Sequence, residues 1–144
     1  MKKALISFAC LLLIVVTSRA SLPNDKVLKS FMSTFNSPLE VKWFEHPNYY
    51  EVSFVQSEVR ANVKYDLQGN FLGSTRYYKE QQLPTNILCK LKKKYADKII
   101  FGVTELTSSE EVNYYVKIED SKNWFTIKVN GNGQMEIFEK YKKV

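Results

Sequence analysis

Apolar residues recur twice along this chain at the spacing of one face of an α-helix. The first set consists of Val27, Leu28, Phe31 and Phe35. The second set, 60 residues later throughout, consists of Ile87, Leu88, Leu91 and Tyr95. Positions i, i+1, i+4 and i+8 gather on one stripe of a helix, so the pattern predicts two amphipathic helices. Asn24 or Asp25 is the expected N-cap of the first helix, and Leu83-Pro84 is the expected start of the second.

Each predicted helix is followed by four stretches in which apolar and polar residues alternate, the pattern of half-buried strands. In the first half the expected strands are Leu39 to Glu45, Tyr49 to Gln56, Arg60 to Asp66 and Phe71 to Tyr78. In the second half they are Ile99 to Leu106, Val112 to Asp120, Trp124 to Asn130 and Gln134 to Tyr141. Strand residues of the two halves match at an offset of 64, as Tyr50 and Tyr114 do. The four additional residues are expected in the polar stretch Thr107 to Glu111.

The duplicated pattern predicts an α+β fold made of two tandem units, each with the order α-β-β-β-β. Alternation makes one face of an antiparallel sheet apolar and the other polar, so both helices are expected on one face of a curved antiparallel sheet. The buried face is expected to bear Val52, Phe54, Val63, Val116, Ile118 and Ile127, and Trp43 is assigned to the core. The sequence leaves open whether the eight strands form one sheet or two.

Residues 1 to 20 have the pattern of a secretory signal peptide. Lys2 and Lys3 precede an apolar run from Ala4 to Val16, and Ser18-Arg19-Ala20 offers a small-residue cleavage site. Cleavage removes three basic residues and no acidic ones, so the formal net charge falls from +6 to +3. We therefore expect export to the periplasm and no transmembrane segment in the mature chain. A single domain is expected over 21 to 144, with repeats at about 24 to 79 and 83 to 144.

The side chains available for chemistry argue against an enzyme, a metal site or a cofactor. Cys10 leaves with the predicted signal peptide, which isolates Cys89, and His46 is the single histidine. Zinc sites and nucleophile–base pairs both need several such side chains at defined spacings. The five glycines include no cluster at a helix start, so no phosphate-binding loop is predicted. Nucleic-acid binding is not expected either, because a mature charge of +3 supplies no concentrated basic field.

Helical spacing places Cys89 away from the apolar stripe of the second helix, on the side of Lys90, Lys92 and Lys93. Two interpretations stay open. One is an accessible thiol that forms a mixed or intermolecular disulfide, and the other is a partly covered, inert thiol. The sequence does not fix the oligomeric state.

The chain resembles the PepSY-like, beta-lactamase-inhibitor-like family of exported Bacteroides-type proteins. The resemblance rests on the order of Val27 to Phe35, Val41-Lys42-Trp43, Tyr50-Glu51-Val52-Ser53-Phe54, Tyr65-Asp66 with Gly69, Leu83-Pro84 and Tyr95. The family usually has a proline after the aromatic residue that ends each helix, whereas this chain has Asn36 and Ala96 there. The resemblance implies tandem helix-plus-sheet units like those of the beta-lactamase inhibitory protein and a periplasmic location. It implies no established activity and no catalytic residues.

Several aromatic residues alternate out of phase with the core positions and are expected on the helix-free face of the sheet. These are Phe44, Tyr115 and Trp124, together with one ring of the adjacent pair Tyr77 and Tyr78. Exposed rings of this kind anchor protein or peptide ligands, although cross-strand ring pairs also stabilise sheets without any ligand. The sequence therefore predicts a non-enzymatic protein that binds another protein or a peptide through these residues.

Two other functions stay open. An inhibitor or modulator of a periplasmic hydrolase, such as a peptidase or a beta-lactamase, would use loop tips such as Asn48-Tyr49 and Ser108-Ser109-Glu110. A sensor of a small ligand or of envelope stress would need an apolar pocket of several hundred cubic ångströms between the helices and the sheet.

Overall fold

The computed structural model describes residues 22 to 144, and the predicted signal peptide at 1 to 20 lies outside the described residues. Two helices, α1 (Asp25–Thr34) and α2 (Thr85–Lys94), each precede four strands. The first four strands are β1 (Leu39–Glu45), β2 (Tyr49–Gln56), β3 (Val59–Asp66) and β4 (Phe71–Tyr78). The last four are β5 (Ile99–Ser108), β6 (Val112–Glu119), β7 (Asn123–Asn130) and β8 (Met135–Lys142). The predicted order α-β-β-β-β, twice, is confirmed.

The strand ends differ little from the expected positions, and the largest difference is in β5. This strand has 10 residues, whereas β1 has 7. The residues by which the second repeat exceeds the first were expected in a loop over Thr107 to Glu111, but Thr107 and Ser108 continue the strand. These additional residues therefore lengthen the β5–β6 hairpin, because Thr107 pairs with Val112 of the neighbouring strand.

All eight strands form one antiparallel sheet in which each strand pairs with its neighbours in the chain. The pairing of β4 with β5 runs from Gly73 opposite Ser108 to Tyr78 opposite Val103, and it crosses the junction between the repeats. The strands therefore form one sheet, which the sequence had left open. Alternate hairpin turns of such an arrangement lie at the same end of the sheet.

Both helices pack on the same face of the sheet, each over its own repeat. Helix α1 contributes Val27 and Phe31 to a cluster whose sheet residues are Trp43, Tyr50, Val52, Phe54, Ala61, Val63 and Tyr65. Helix α2 contributes Ile87 and Leu91 to a second cluster, whose strand residues are Val59, Tyr78, Val103, Tyr114, Val116, Ile118, Phe125, Ile127 and Val129. The predicted core positions, Trp43 among them, are buried. Each such side chain contributes about 1.5–3 kcal/mol by leaving water, which holds the helices on this face.

The start of α1 is fixed to the β3–β4 turn by its N-cap. Asn24 Oδ1 accepts a hydrogen bond from the N–H of Val27 at 3.1 Å, while Asn24 Nδ2 donates to the carbonyl oxygen of Leu67 at 3.0 Å. Asn24, not Asp25, is therefore the cap. The same side chain satisfies a free helix N–H and sets the position of the helix on the sheet.

A polar cluster lies at the junction of the repeats, on the helix-covered face of β4 and β5. The Tyr78 hydroxyl donates to Glu105 Oε2 at 2.5 Å, and Arg76 Nη1 lies 3.2 Å from Glu105 Oε1. Burial, together with the hydrogen bond to Glu105, raises the pKa of Tyr78. One ring of the pair Tyr77 and Tyr78 was expected on the helix-free face, and Tyr78 is the one that faces the core and is not part of that face. Tyr78 pairs with the buried Val103, and alternation along β4 turns Tyr77 outward instead.

Candidate functional site

The sheet face that the helices leave uncovered, called the open face below, bears the other predicted contact residues. Tyr77 and Trp124 lie there with 43% and 40% of their surface exposed, and Phe44 and Tyr115 are half-buried. Tyr77 pairs with Thr104, and Thr104 pairs with Tyr115. Directly paired residues of an antiparallel sheet share a face, so Tyr77 and Tyr115 lie in one row, two strands apart.

Phe44 lies apart from the other rings of the predicted set. It is on β1, an edge strand of the sheet, and it pairs with Glu51 of β2. Trp124 is on β7, next to the opposite edge strand. The predicted residues therefore share a face without forming one continuous platform, and three of the four lie from β4 toward β8.

Two β-bulges add rings to the open face that alternation did not predict. The register of β5 shifts at Phe101, whose ring centroid lies 5.0 Å from that of Trp124 at an interplanar angle of 80°. The register of β8 shifts at Phe138, whose ring centroid lies 5.2 Å from that of Tyr115, also at 80°. A bulge inserts one residue into one strand and changes the phase of the side chains that follow. Both additional residues place a ring edge-to-face against a predicted contact residue.

A third ring that the prediction missed is Tyr141. It pairs directly with Trp124 and is 59% exposed. The sequence does contain a sign of Phe101 and Phe138, since each follows another apolar residue, in the pairs Ile100-Phe101 and Ile137-Phe138. One member of such a pair must face outward in a strand that has one solvent-exposed face. The aromatic surface is defined as Phe101, Tyr115, Trp124, Phe138 and Tyr141.

A polar network lies between the two ring pairs of the aromatic surface. Lys117 Nζ donates to Thr126 Oγ1 at 3.0 Å, and Thr126 Oγ1 donates to Glu139 Oε2 at 3.1 Å. Thr126 is only 4% exposed although it lies on the open face. The network connects β6, β7 and β8 through side chains, so the rings on either side of it are held on a rigid support.

A trough of about 370 Å³ crosses the open face beside Tyr115. Its lining includes Asn62 and Asn113, and also Lys64 and Lys128, which occupy equivalent positions in the two repeats. Each lysine has a carboxylate oxygen within 4.0 Å, so the trough is polar without a large excess of one charge. A second hollow of about 300 Å³ shares Asn113 and Lys128 with it and extends to β8.

On the helix-covered face, a groove of about 210 Å³ lies beside the end of α1. Phe35, Phe54 and Val63 line it, and Ala61 stands where the second repeat has the ring of Phe125. Its volume is below the roughly 300–1,000 Å³ of typical small-molecule sites. The groove therefore gives little support to a sensor of small ligands.

The two side chains best able to supply nucleophilic or acid–base chemistry lie in different repeats. His46 stacks on Tyr49 in the β1–β2 hairpin, with ring centroids 4.2 Å apart, whereas Cys89 lies on α2. Cys89 is exposed, so its thiol is accessible, while the mixed or intermolecular disulfide stays a prediction. Within residues 22 to 144, no group of three or more His, Cys, Asp or Glu side chains is arranged to hold a metal ion.

Both helices are short. Each has ten residues, and in the part of the chain that the structure describes no helix has the length and apolar character needed to cross a membrane.

Solved structures from Bacteroides share this fold at low sequence identity. A BLIP-like protein from Bacteroides fragilis has a TM-score of 0.60 at 15% identity, covering 85% of this chain and 87% of its own. A DUF2874 family protein from Bacteroides ovatus has a TM-score of 0.60 at 14% identity, covering 85% and 89%. A candidate periplasmic protein from Bacteroides eggerthii has a TM-score of 0.59 at 12% identity, covering 85% and 90%.

These likenesses confirm the predicted architecture, a BLIP-like fold of two helices on an eight-stranded antiparallel sheet. No protein-family model matches the sequence, and neither does any curated protein. The PepSY-like assignment therefore stays a prediction. At identities of 12–15%, the likeness concerns the fold alone.

Proposed function

We propose that this chain is an exported, non-enzymatic protein of the periplasm that binds a segment of another protein on its open face. The aromatic surface is the observation on which this proposal rests. Four of its rings, those of Phe101, Trp124, Phe138 and Tyr141, are between 40% and 59% exposed. None of the four belongs to either buried core, so the packing of the fold does not account for them.

The energetics of these rings favour a macromolecular contact. A large aromatic side chain buries roughly 150–250 Å² when it is fully covered. Covering about half of that area removes about 100 Å² from water, which at about 25 cal/mol per Å² contributes roughly 2 kcal/mol per ring. Edge-to-face packing of Phe101 on Trp124 and of Phe138 on Tyr115 already restricts these side chains, so a partner orders them at little further cost in entropy.

The trough supports a polypeptide segment as the occupant. It adjoins Tyr115 and offers both amide and ammonium groups, which can hydrogen-bond to the carbonyl oxygens and N–H groups of an extended chain. It is open to solvent along the face, whereas small-molecule sites enclose most of the ligand surface. Rings beside a polar trough match the common arrangement of apolar anchors with hydrogen-bonding groups around them.

Location and lack of catalysis have separate support. The signal-peptide pattern of residues 1 to 20 supports export, and one protein of the same fold is described as a candidate periplasmic protein. The placement of His46 and Cys89 in different repeats supports a role without nucleophilic catalysis.

Photo-crosslinking in cells tests the proposal. A photo-reactive p-benzoylphenylalanine is placed at Phe138 on the open face and, as a control, at Met32, which is 64% exposed on α1. We expect a discrete crosslinked protein from position 138 that is missing from position 32 and is lost in the Trp124→Ala variant. No product from position 138, or the same products from both positions, would contradict the proposal.

A second function, modulation of a hydrolase, is favoured by the geometry of the β5–β6 tip. Ser108 Oγ accepts hydrogen bonds from the N–H groups of Glu110 and Glu111 at 3.3 and 3.2 Å, which fixes the tip. Ser108 and Glu111 also line the trough. A rigid tip beside a recess is the kind of shape that enters an enzyme cleft at low entropic cost. Inhibition of purified beta-lactamases and peptidases by micromolar protein tests this function, and unchanged activity in both classes removes it.

A further inference from the structure

Lys143 occupies a small cation-binding site within the aromatic surface. Its Nζ lies 4.4 Å from the ring centroid of Trp124 and 2.6 Å from Glu119 Oε2. Phe101 packs edge-on against the same tryptophan and widens the apolar wall. The face of an indole ring together with a carboxylate is a strong combination for an ammonium group, because both attract positive charge.

Trp124 and Glu119, the groups that receive the ammonium, lie on paired strands, whereas Lys143, which supplies it, lies beyond the end of β8. Glu119 pairs with Trp124 across β6 and β7. Lys143 follows the last residue of β8, and its N–H donates to the carbonyl oxygen of Lys122 at 2.8 Å. The side chains of Lys143 and Glu119 remain 28% and 22% exposed. The receiving groups are therefore preformed, and solvent reaches the ammonium group that fills them.

We propose that the Trp124–Glu119 site receives a lysine side chain of the bound polypeptide, and that Lys143 occupies it in the free protein as an internal competitor. The inference rests on the proposed function and specifies its partner, a segment with a lysine flanked by apolar residues that cover Phe101 and Tyr141. Because an occupied site cannot bind, the apparent affinity equals the intrinsic affinity multiplied by the fraction of molecules in which Lys143 has left the site.

The first repeat provides an internal comparison for this site. The positions 64 residues before Glu119 and Trp124 hold Val55 and Arg60. Both the carboxylate and the indole are therefore replaced there, and one replacement is itself a cation. The cation site belongs to the second repeat, where the aromatic surface also lies.

A titration with a small cationic probe tests the proposal without knowledge of the partner. N-acetyl-lysine methylamide is added to the protein while the indole N–H signal of Trp124 is followed by NMR. The Lys143→Ala variant is expected to bind the probe about three- to tenfold more tightly than wild type. Lys142→Ala is the matched control, since it removes the same charge from an exposed position and leaves the site occupied.

Two further measurements decide between a cation subsite and a general electrostatic effect. Glu119→Gln is expected to weaken binding of the probe to the Lys143→Ala protein about three- to tenfold, and the neutral Nε-acetylated probe is expected not to shift the Trp124 signal. Equal binding by wild type, Lys142→Ala and Lys143→Ala would overturn the proposal. The outcome is separate from the crosslinking test, because the probe reports on the site whether or not position 138 captures a protein.

Discussion

The first repeat packs a cluster of contacting aromatic rings in its core, whereas the second repeat gathers five rings on the open face. Around α1, Phe31 contacts Phe35, Trp43 and Phe54 with ring centroids between 5.2 and 5.3 Å apart. The second repeat has Leu91 where the first has Phe31, and it has Ile118 where the first has Phe54. Aliphatic side chains thus fill these two positions in the core beneath α2, which has its rings elsewhere, for example at Tyr114 and Phe125. The backbone plan therefore does not require rings at these two positions.

The opposite exchange occurs on the open face. Trp124 and Tyr115 of the second repeat stand where the first has Arg60 and Glu51, which are charged. A sheet of this kind is therefore compatible with a charged open face. Rings at these positions add exposed apolar area that the fold does not need, and this difference is the physical reason to place the proposed binding function in the second repeat.

The largest expected effect comes from removing the ring that α1 contributes to its core. Phe31→Ala is expected to lower the free energy of unfolding by about 4 kcal/mol, and Leu91→Ala, the equivalent change in α2, by about 3 kcal/mol. The difference reflects the three ring contacts of Phe31 in addition to lost apolar area. Urea unfolding of both variants measures it. A greater loss for Leu91→Ala would show that the first core does not depend on its rings.

The glycine turns next to the two helices give the next largest expected loss of stability. Gly69 and Gly133 have φ of +87° and +78°, which costs an alanine about 1–2 kcal/mol at either position. A Cβ at Gly69 would lie 2.8 Å from the backbone oxygen of Lys26, whereas at Gly133 the obstacle at 2.8 Å is the flexible end of Lys90. We expect thermal unfolding to show a loss of about 3 kcal/mol for Gly69→Ala and about 1 kcal/mol for Gly133→Ala. Equal losses would mean that α1 moves away as readily as a lysine side chain does.

Alternation and internal duplication were sufficient to predict the helices, the strands and the buried face, because each apolar position was confirmed by a counterpart in the other repeat. They were not sufficient at Phe101 and Phe138, since a bulge reverses the phase of a strand without any change in composition. They also failed to choose between Tyr77 and Tyr78, two identical residues that fit either phase. That choice depends on Glu105, 27 residues away in the chain, whose carboxylate accepts a hydrogen bond from the buried hydroxyl of Tyr78.

A smaller effect is expected where the first repeat has a methyl group in place of a ring. Ala61→Phe places in the first repeat the residue that the second accommodates as Phe125, and the groove beside α1 offers about 210 Å³. We expect the free energy of unfolding to change by no more than about 1 kcal/mol, because a ring of this size has space without displacing Phe35 or Phe54. Chemical denaturation measures this change. A loss of about 3 kcal/mol would show that the repeats differ in backbone position as well as in side chains.

The smallest contrast separates the turns by their response to acid. Asp66 Oδ1 accepts hydrogen bonds from the N–H groups of Gln68 and Asn70 at 2.9 and 2.8 Å, while in the second repeat the neutral amide oxygen of Asn130 has the equivalent role. Hydrogen bonds from the side chain and backbone of Asn70 hold the pKa of Asp66 below its usual 3.8. A carboxyl group whose pKa is depressed on folding stabilises the protein above its unfolded pKa and loses that contribution as the pH falls through the folded value.

Asp66→Asn gives the β3–β4 turn the amide that the β7–β8 turn has at Asn130. The variant therefore isolates what the charge on Asp66 contributes to stability. The difference in melting temperature between wild type and Asp66→Asn is expected to be constant above about pH 5 and to shift against wild type as the pH falls through the folded pKa of Asp66. The reciprocal variant, Asn130→Asp, is expected to gain the acid sensitivity that the second turn lacks. Parallel melting curves for wild type and Asp66→Asn from pH 6 to pH 2 would mean that the charge on Asp66 adds nothing to what an amide oxygen provides. The repeats would then differ in the side chains of the open face and of the cores, and not in the electrostatics of these two turns.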